Sequence, residues 1–360
     1  MLLKKRCNRR KFLKYSLSVA AGGTTLALLS PQLRLGERLL FLLAPPDEKP
    51  VKKTIISMGT FITVSVYDRK EEDYNHVIER AFDEFRSVDV LMSTFNEESD
   101  VSRVNRYGGI NSLKVDPQVC EVVDAAKTMG DRSSGIFDFT ILPLLKAYGF
   151  RDNHPRTPDP ETMEKALSLV NYRKVSVDKE NHVIGLETSG SQIDLGGIAK
   201  GYAVDRAANI LRSHGIQKAI INAGGDIIAI GAPNEKEDWL IGIQHPLYPE
   251  KIAATVLIRD QAIATSGNYE NYIVVDDKQY GHLIDPRTGN PSNPVLSATI
   301  VAPSAMEADA LSTSAFLMGQ NNGSRFTQNQ ECAEGIFITK KSDQKIDFKT
   351  TDNFPKFEVV

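Results

Sequence analysis

The sequence predicts an α+β fold of mostly antiparallel strands with packed helices. Strand-like apolar runs dominate residues 218–301, and amphipathic helical runs lie both before and after them. The two element types do not follow the strict alternation that a parallel α/β sheet requires. Hydrophobic residues make up 41% and charged residues 25% of the 360 residues, so the chain is able to bury a substantial core.

The first half of the folded region begins with a strand and two helices. Residues 55–68, IISMGTFITVSVYD, alternate apolar and polar residues and predict one half-buried strand. Apolar residues recur at helical spacing over 71–92, which predicts a helix. A second helix is expected over 117–129, because Asp116 and Pro117 form a good cap and first-turn pair.

The second half is expected to contain the following elements. Asp159 and Pro160 open a short helix, and VSVD (175–178) and HVIGLE (182–187) are two strands joined by a short turn. QIDL (192–195) reads as a strand that leads into a helix over 198–214, which Gly215 ends. A last long helix runs from Ala305 to about Met318, with a helix and a strand in the tail after it.

The basic N-terminus, residues 1–46, indicates a targeting segment. RRKFLK at 9–14 resembles the twin-arginine export signal, and a charge-free run over 15–33 follows it. We therefore expect export to the periplasm or to the outer face of the cytoplasmic membrane, and the alternative is a basic tail leading into a membrane helix. A second apolar patch at 39–46 leaves a membrane tether open. We expect a linker at 47–53 and one folded domain over 54–350.

The formal charge of −3 hides an asymmetry between the tail and the body. Residues 1–46 contain nine Lys and Arg and one Glu, which gives +8, so residues 47–360 carry −11. A body this acidic argues against a general nucleic-acid-binding surface. An anionic ligand would need a local positive charge or a metal. Cys120 and Cys332 are the cysteines beyond the tail, and one disulfide and two separate thiols are equally consistent with the sequence.

The stretch DLGGIAKG (194–201) has parts of a phosphate-binding loop but matches neither the P-loop nor the dinucleotide fingerprint. Gly196 and Gly197 stand where a strand is expected to meet a helix, and a helix start favours an anion. Lys200 lies in the first turn, within reach of a phosphate. The alternative is a tight turn with a solvated lysine.

The helix expected over 305–318 places two oxygen ligands on one face, Asp309 and Thr313, four residues apart. Apolar neighbours surround Asp309, and a buried carboxylate needs a partner or a cation. Together with a backbone carbonyl and substrate oxygens, the pair would suit magnesium. The alternative is that Asp309 caps or pairs while Thr313 bonds to its own helix.

Two further segments offer weaker signals. His282, in YGHLIDPRTGNP, could carry a proton, form an aromatic wall of a binding site, or be a polar residue whose hydrogen bonds are satisfied within the protein. Asp138 lies between two phenylalanines, which would bracket a planar ring or belong to the core. The metalloprotease, C-x-x-C and G-x-S-x-G templates are absent, and the other histidines lack ligand spacing.

These segments together resemble the ApbE family, the FAD:protein FMN transferases. The resemblance covers roughly residues 54–320 in family order, through MGTFITV (58–64), MSTFNEESDVSRVN (92–105), GIFDFTILPLLKAYGF (135–150), DLGGIAKGYAVD (194–205), NAGGDIIAIG (222–231), ATSGNYENY (264–272), HLIDPRTGNP (282–291) and EADALSTSAFLMG (307–319). The family implies a T-fold-like domain that binds FAD with Mg²⁺ at the pyrophosphate. Phe95 stands where relatives often carry tyrosine, and Asn268 where they often carry aspartate.

The resemblance also implies roles for individual residues. The metal would be held by the carbonyl of Gly197 and the side chains of Asp309 and Thr313. The positions expected to contact FAD are Met58, Phe95, Ile136, Phe137, Asp138, Asp194, Lys200, His282 and Leu283. Mg²⁺ and Lys200 would withdraw charge from the pyrophosphate while a Thr or Ser hydroxyl of an envelope flavoprotein attacks the FMN-side phosphorus and AMP leaves.

His282 is the candidate base for this reaction, and Asp309 shares that role only if the metal leaves it free. Water in place of the hydroxyl would make the protein an FAD pyrophosphatase. The rival from another class is a non-catalytic flavin-binding protein of the envelope.

Overall fold

The structure is a computed structural model that describes residues 50–68, 74–152, 154–269, 271–292, 294–342 and 345–360. The predicted export signal and the first residues of the predicted linker lie outside the described residues. The first strand already begins at Val51, within the range predicted as linker. Within the described part of the chain, we find no helix with both the length and the apolar character needed to cross a membrane.

An eight-stranded antiparallel sheet forms the centre of the molecule, in the order β1-β2-β6-β7-β10-β13-β14-β15. The predicted α+β class with mostly antiparallel strands is confirmed. The strands are β1 Val51–Ser57, β2 Thr60–Val66, β3 Leu113–Lys114, β4 Val175–Asp178, β5 Val183–Leu186, β6 Ala219–Ala223, β7 Asp226–Ile230, β8 Trp239–Gln244, β9 Ile252–Ile258, β10 Ala262–Gly267, β11 Tyr272–Val275, β12 Lys278–Gly281, β13 Ser297–Ala302, β14 Glu334–Ser342, β15 Lys345–Thr350 and β16 Phe357–Val359.

Helices cover one face of this sheet and a small sheet covers the other. The helices are α1 Asn75–Met92, α2 Asp100–Tyr107, α3 Pro117–Arg132, α4 Leu142–Ala147, α5 Pro160–Ser168, α6 Ala199–Ser213 and α7 Ala305–Gln328. Alternate residues of β6 show the division, because Ile221 packs with the helices and Ile220 packs under the three-stranded sheet β16-β9-β8. The central strands are buried on both faces, so their sequence is almost continuously apolar.

The predicted single strand over 55–68 is wrong in one respect, because the chain folds back on itself in the middle. Met58 and Gly59 both have positive φ, 50° and 70°, and form a two-residue turn between β1 and β2. Turns of this type match the twist of the flanking strands. The apolar alternation continues through the turn and therefore concealed it. The turn brings Met58 to one end of the sheet, where its backbone N–H donates to Asp89 at 2.8 Å.

The predicted helices are present with small changes at their ends. The helix predicted over 117–129 ends at Arg132, and its cap Asp116 accepts from the N–H of Gln118 at 2.9 Å. The helix predicted from Ala305 is α7, but non-helical backbone at Gly319 (φ 77°) divides it. The second piece, expected as a separate tail helix, continues directly to Gln328, and Gly323 within it lies against Phe337 of β14. Cys120 is buried and Cys332 exposed, and both are free thiols.

Candidate active site

The loop before α6 lies against α7, far away in the sequence. QIDL, predicted as a strand, has only one bridge, between Gln192 and Ile141, so the loop enters as irregular chain. A Cβ at Gly197 would lie 3.3 Å from both the Phe137 ring and the Thr313 hydroxyl oxygen. The backbone of Gly197 and the side chain of Thr313 therefore adjoin.

A glycine lets α6 and α7 cross closely beside that loop. A Cβ at Gly201 would lie 2.2 Å from the carbonyl oxygen of Ala305, which excludes any side chain there. At this crossing the N–H of Gly201 donates to Asp309 Oδ2 at 3.1 Å. Asp205 of α6 accepts from the N–H groups of Ala305 and Met306, both at 2.8 Å, and fixes the start of α7. The crossing thus holds Asp309 against the first turn of α6.

Two buried carboxylates face one lysine at this crossing. The Lys200 ammonium forms an ion pair with Asp226, which is 2% exposed, while Asp309 is 5% exposed. Burial, and then the negative charge of Asp226, raise the pKa of Asp309, while Lys200 acts in the opposite direction. The three groups carry a net charge of −1 when both acids are ionised, so the cluster favours a proton or a further cation.

Sequence reasoning missed Asp226 as a site residue. It follows Gly224 and Gly225, which turn the chain from β6 into β7, and both glycines have positive φ. A Cβ at Gly224 would lie 2.3 Å from Thr60 Oγ1, so this turn lies against the start of β2. The signal was available, because an acidic residue after paired glycines stands where a backbone turn approaches something closely.

Asp194 belongs to a second charged group near the same loop. Its carboxylate accepts from Arg151, from Thr94 Oγ1 at 3.2 Å and from the Gly196 N–H at 3.0 Å. Arg151 also lies over the Phe95 ring, with its guanidinium carbon 4.8 Å from the centroid. Burial by itself raises the pKa of Asp194, but the charge of Arg151 and these hydrogen bonds together outweigh it and leave the pKa below its usual value. Arg151 was also missed, and no pattern in AYGFRD distinguishes it.

His282 is held with one nitrogen free to accept a proton. Its Nδ1 lies 3.0 Å from the carbonyl oxygen of Asn271, which only accepts, so Nδ1 carries the proton and Nε2 keeps its lone pair. Removal from water lowers the pKa of His282 to about 4. The charges of Arg151, Asp194 and Lys200 also shift the pKa of His282. The ring therefore lies near the Lys200 cluster and near the Asp194–Arg151 pair. The imidazole is therefore neutral at pH 7.

Asn268 supports the loop that carries His282. Its side-chain amide donates to the Ser292 carbonyl at 2.6 Å and accepts from the Leu283 N–H at 3.2 Å. A Cβ at Gly281 would collide with the Asn268 side chain, so residue 281 has to be glycine. Asparagine supplies both a donor and an acceptor here, whereas an ionised aspartate would supply acceptors alone.

The remaining residues predicted to contact FAD differ in their surroundings. Phe137 touches the loop at Gly197, and Ile136 and Leu283 are buried. Asp138 is occupied by the protein itself, since its oxygens accept from the Thr140 N–H and hydroxyl and from the Tyr172 N–H. The structure thus brings together Gly197, Lys200, Asp309 and Thr313, with Asp194 and His282 beside them, and uses Asp138 to order its own loop.

The sequence matches the ApbE family over residues 58–337. The chain belongs to the ApbE family. A relative from Klebsiella pneumoniae, named FAD:protein FMN transferase, is 28% identical over 299 residues, which cover 82% of this chain and 92% of the relative. A relative of the same name from Escherichia coli K12 is 28% identical and covers 82% and 84%.

Solved ApbE structures have the same fold. The ApbE protein of Thermotoga maritima superposes with a TM-score of 0.78 at 30% identity, covering 86% of this chain and all of that one. The flavin transferase ApbE of Vibrio cholerae superposes with a TM-score of 0.75 at 27% identity, covering 85% and 98%. The predicted family and fold are therefore confirmed, and so is the predicted enzyme class, because the named relatives are transferases.

Proposed function

We propose that this protein transfers FMN from FAD to a Thr or Ser hydroxyl of an acceptor flavoprotein and releases AMP, with Mg²⁺ as its metal. The observation that carries the proposal is the meeting of Gly197, Lys200, Asp226, Asp309 and Thr313 at the crossing of α6 and α7. FAD and the acceptor class come from the names of the relatives.

The residues at the crossing fit a magnesium ion. Asp309 is a buried carboxyl group next to a second one, Asp226, and when both are ionised Lys200 balances one of the two charges, so a cation is favoured. Thr313 lies beside the Gly197 backbone and 3.3 Å from Ser266 Oγ, so all the candidate ligands are oxygens. Among the described residues no three His, Cys, Asp or Glu side chains gather as a metal site, and Mg²⁺ is commonly held by few protein ligands plus phosphate.

Each protein group has a defined task in the transfer. Lys200 places a positive charge at the start of α6, where a pyrophosphate is favoured. Nε2 of His282 accepts the proton of the attacking hydroxyl, since its Nδ1–H is held by Asn271. The hydroxyl oxygen forms a bond to the FMN-side phosphorus, the bond from that phosphorus to the bridging oxygen breaks, and AMP leaves. When bound, Mg²⁺ supplies Lewis-acid withdrawal of charge from the pyrophosphate.

The export of the protein is part of the same proposal. The sequence RRKFLK at 9–14 supports passage through the twin-arginine route, and the acceptor would then be a flavoprotein of the cell envelope. The apolar patch at 39–46 supports a membrane tether.

The purified protein with FAD, Mg²⁺ and a flavoprotein fragment tests the proposal. A fluorescent covalent band on the fragment, with one AMP per label, is the expected result. AMP and free FMN without a band would show a pyrophosphatase, and FAD that stays intact for hours would show a binding protein. Either of these would contradict the proposal.

A further inference from the structure

The hairpin of β11 and β12 is a sheet of two strands, and within the described part of the chain no third strand pairs with either edge. Asp276 and Asp277, both with positive φ, form its two-residue turn and fix the register of the two strands. At the other end the N–H of His282 donates to the carbonyl of Asn271 at 3.1 Å, so the ladder continues one pair beyond the strands. The hairpin therefore ends at the candidate base.

The outer edge of β11 presents open backbone groups. In a hairpin with a two-residue turn, the pair next to the turn is hydrogen-bonded and the pairs alternate from there. Val275 and Ile273 therefore bond to β12, while the N–H and C=O groups of Val274 and Tyr272 point away from it. Among the described residues, none forms a hydrogen bond with these outward groups. They are the groups with which a further strand would pair.

The residues of β11 lack the protection that edge strands usually have. The strand reads YIVV and contains no charged side chain. The two outer strands of the central sheet, β1 and β15, each contain two lysines, as edges exposed to water commonly do. Tyr272 is 46% exposed, and aromatic and β-branched residues favour strands. An uncharged open edge of this kind is a template for an added strand.

The two faces of the hairpin differ, and one of them carries the candidate base. Ile273 is buried in an apolar cluster that includes α4. Because side chains alternate along a strand, Asn271 and its cross-strand partner His282 share that face, while Tyr272 points to the other. Nδ1 of His282 lies 3.0 Å from the Asn271 carbonyl, so the ring leans over β11 toward the open edge. A side chain opposite Asn271 on an added strand would lie on the same face as this ring.

We propose that the open edge of β11 binds the acceptor flavoprotein by adding an extended segment of it as a third, antiparallel strand, with the attacking Thr or Ser opposite Asn271. This inference rests on the proposed function, which supplies the protein substrate and the role of His282. The outward groups of Tyr272 and Val274 bond to the backbone of the segment. Asn271 then belongs to a pair that is not hydrogen-bonded, and in such pairs the side chains of the two strands are closest.

The same register describes the chemistry of the segment that fits. The residue next to the Thr or Ser points to the opposite face, where the exposed ring of Tyr272 lies. An apolar side chain at that position packs on the ring, whereas a charged one gains no partner from YIVV. The partner is therefore an extended, uncharged segment with an apolar residue beside its hydroxyl residue.

Acceptor kinetics of two hairpin variants test the assignment. Val274→Pro removes one outward N–H and no bond of the hairpin, and proline is tolerated at such edge positions. The KM for a flavoprotein fragment should rise about tenfold, as expected for a lost hydrogen bond, while the affinity for FAD stays within about twofold. Tyr272→Ala keeps every backbone group and should raise this KM about threefold. Lys52→Pro is the matched control, because it removes an outward N–H from the edge of β1, and it should change neither quantity.

The outcomes separate this inference from the proposed function. An unchanged KM for the fragment in Val274→Pro overturns the inference, and so does an equal loss of FAD affinity, which would show that the hairpin shapes the flavin site. A dimer of the parent in sedimentation that Val274→Pro abolishes would place a second copy of the chain on this edge and would also overturn it. Thermal melts identify a variant that fails to fold, and Tyr272→Ala then decides the matter. Failure of the proposed function is a different result, in which the parent protein labels no fragment, and the inference falls with it.

Discussion

Two charged regions border the loop that precedes α6, and they differ in how well their charges are balanced. At the crossing of α6 and α7, the two carboxyl groups of Asp226 and Asp309 share Lys200, so ionisation of both would leave a net negative charge. Across the loop, Asp194 is balanced by Arg151 and further satisfied by Thr94. The same residue type thus has a raised pKa at Asp309 and a lowered pKa at Asp194.

The difference shows how the site divides its tasks. A region with excess charge is stabilised by what binds there, so its stability and its affinity for a cation are linked. A balanced region is already ordered, so it fixes shape before the ligand arrives. We expect substitutions in the first region to change chemistry and substitutions in the second to change binding and stability.

The largest effect is expected for Asp309→Ala. Removing this carboxylate takes a charged oxygen from the candidate metal site, and we expect transfer to fall about 10³-fold at saturating FAD. Labelling of a flavoprotein fragment over time measures the rate. Asp347→Ala, at an exposed position of strand β15, is the control and should keep the parent rate. Full transfer by Asp309→Ala would remove the basis for placing the metal at this crossing.

The next largest loss of transfer rate is expected for His282→Gln. Glutamine keeps a donor for the Asn271 carbonyl but cannot accept a proton, so transfer should fall about 10²-fold while FAD affinity changes little. Stopped-time labelling and a separate FAD titration distinguish rate from binding. An equal loss in both would indicate that His282 only holds the ligand.

The pH profile gives an independent test of His282. Because its pKa is lowered to about 4, the ring stays in the proton-accepting form until the pH falls through that value. At saturating Mg²⁺, we expect no loss of rate from His282 between pH 8 and pH 5, and a loss near pH 4. A base with the ordinary histidine pKa would instead lose activity around pH 6.5. A fall in rate around pH 6.5 that the parent shows and His282→Gln does not would therefore contradict this prediction.

A matched pair of amide substitutions addresses the comparison directly. Asp194→Asn leaves Arg151 without its counter-charge and should lower the free energy of unfolding by about 1.5–3 kcal/mol. Asp226→Asn leaves Asp309 as a second carboxylate that can balance Lys200 and removes the repulsion between the two acids, so stability in EDTA should stay within about 1 kcal/mol of the parent. Urea denaturation measures both. Equal losses in the two variants would show that the regions do not differ as described.

The smallest effects on stability are expected for glycine substitutions near the crossing of α6 and α7. Gly201→Ala places a Cβ against the Ala305 carbonyl, and overpacking of this kind costs about 1–3 kcal/mol. Gly197→Ala meets its neighbours at 3.3 Å and should cost less. Thermal unfolding of the two variants compares them. A larger loss at Gly197 would indicate that the loop, and not the helix crossing, limits stability.

Local chemistry in the sequence determined much of this protein. Helical spacing and the cap at Asp116 located α3, and the four-residue spacing placed Asp309 and Thr313 on one face of α7. The ordered motifs identified the family. These features depend on neighbours within a few residues, and for that reason they can be read from the chain alone.

The tertiary structure decided which charges meet. Asp226 reaches Lys200 across 26 residues, and Arg151 reaches Asp194 across 43, and no local pattern encodes either pairing. The turn at Met58 and the commitment of Asp138 to Thr140 and Tyr172 were also decided there. The physical reason is that burial and the nearest opposite charge set the state of a carboxylate, and both are properties of the packed molecule.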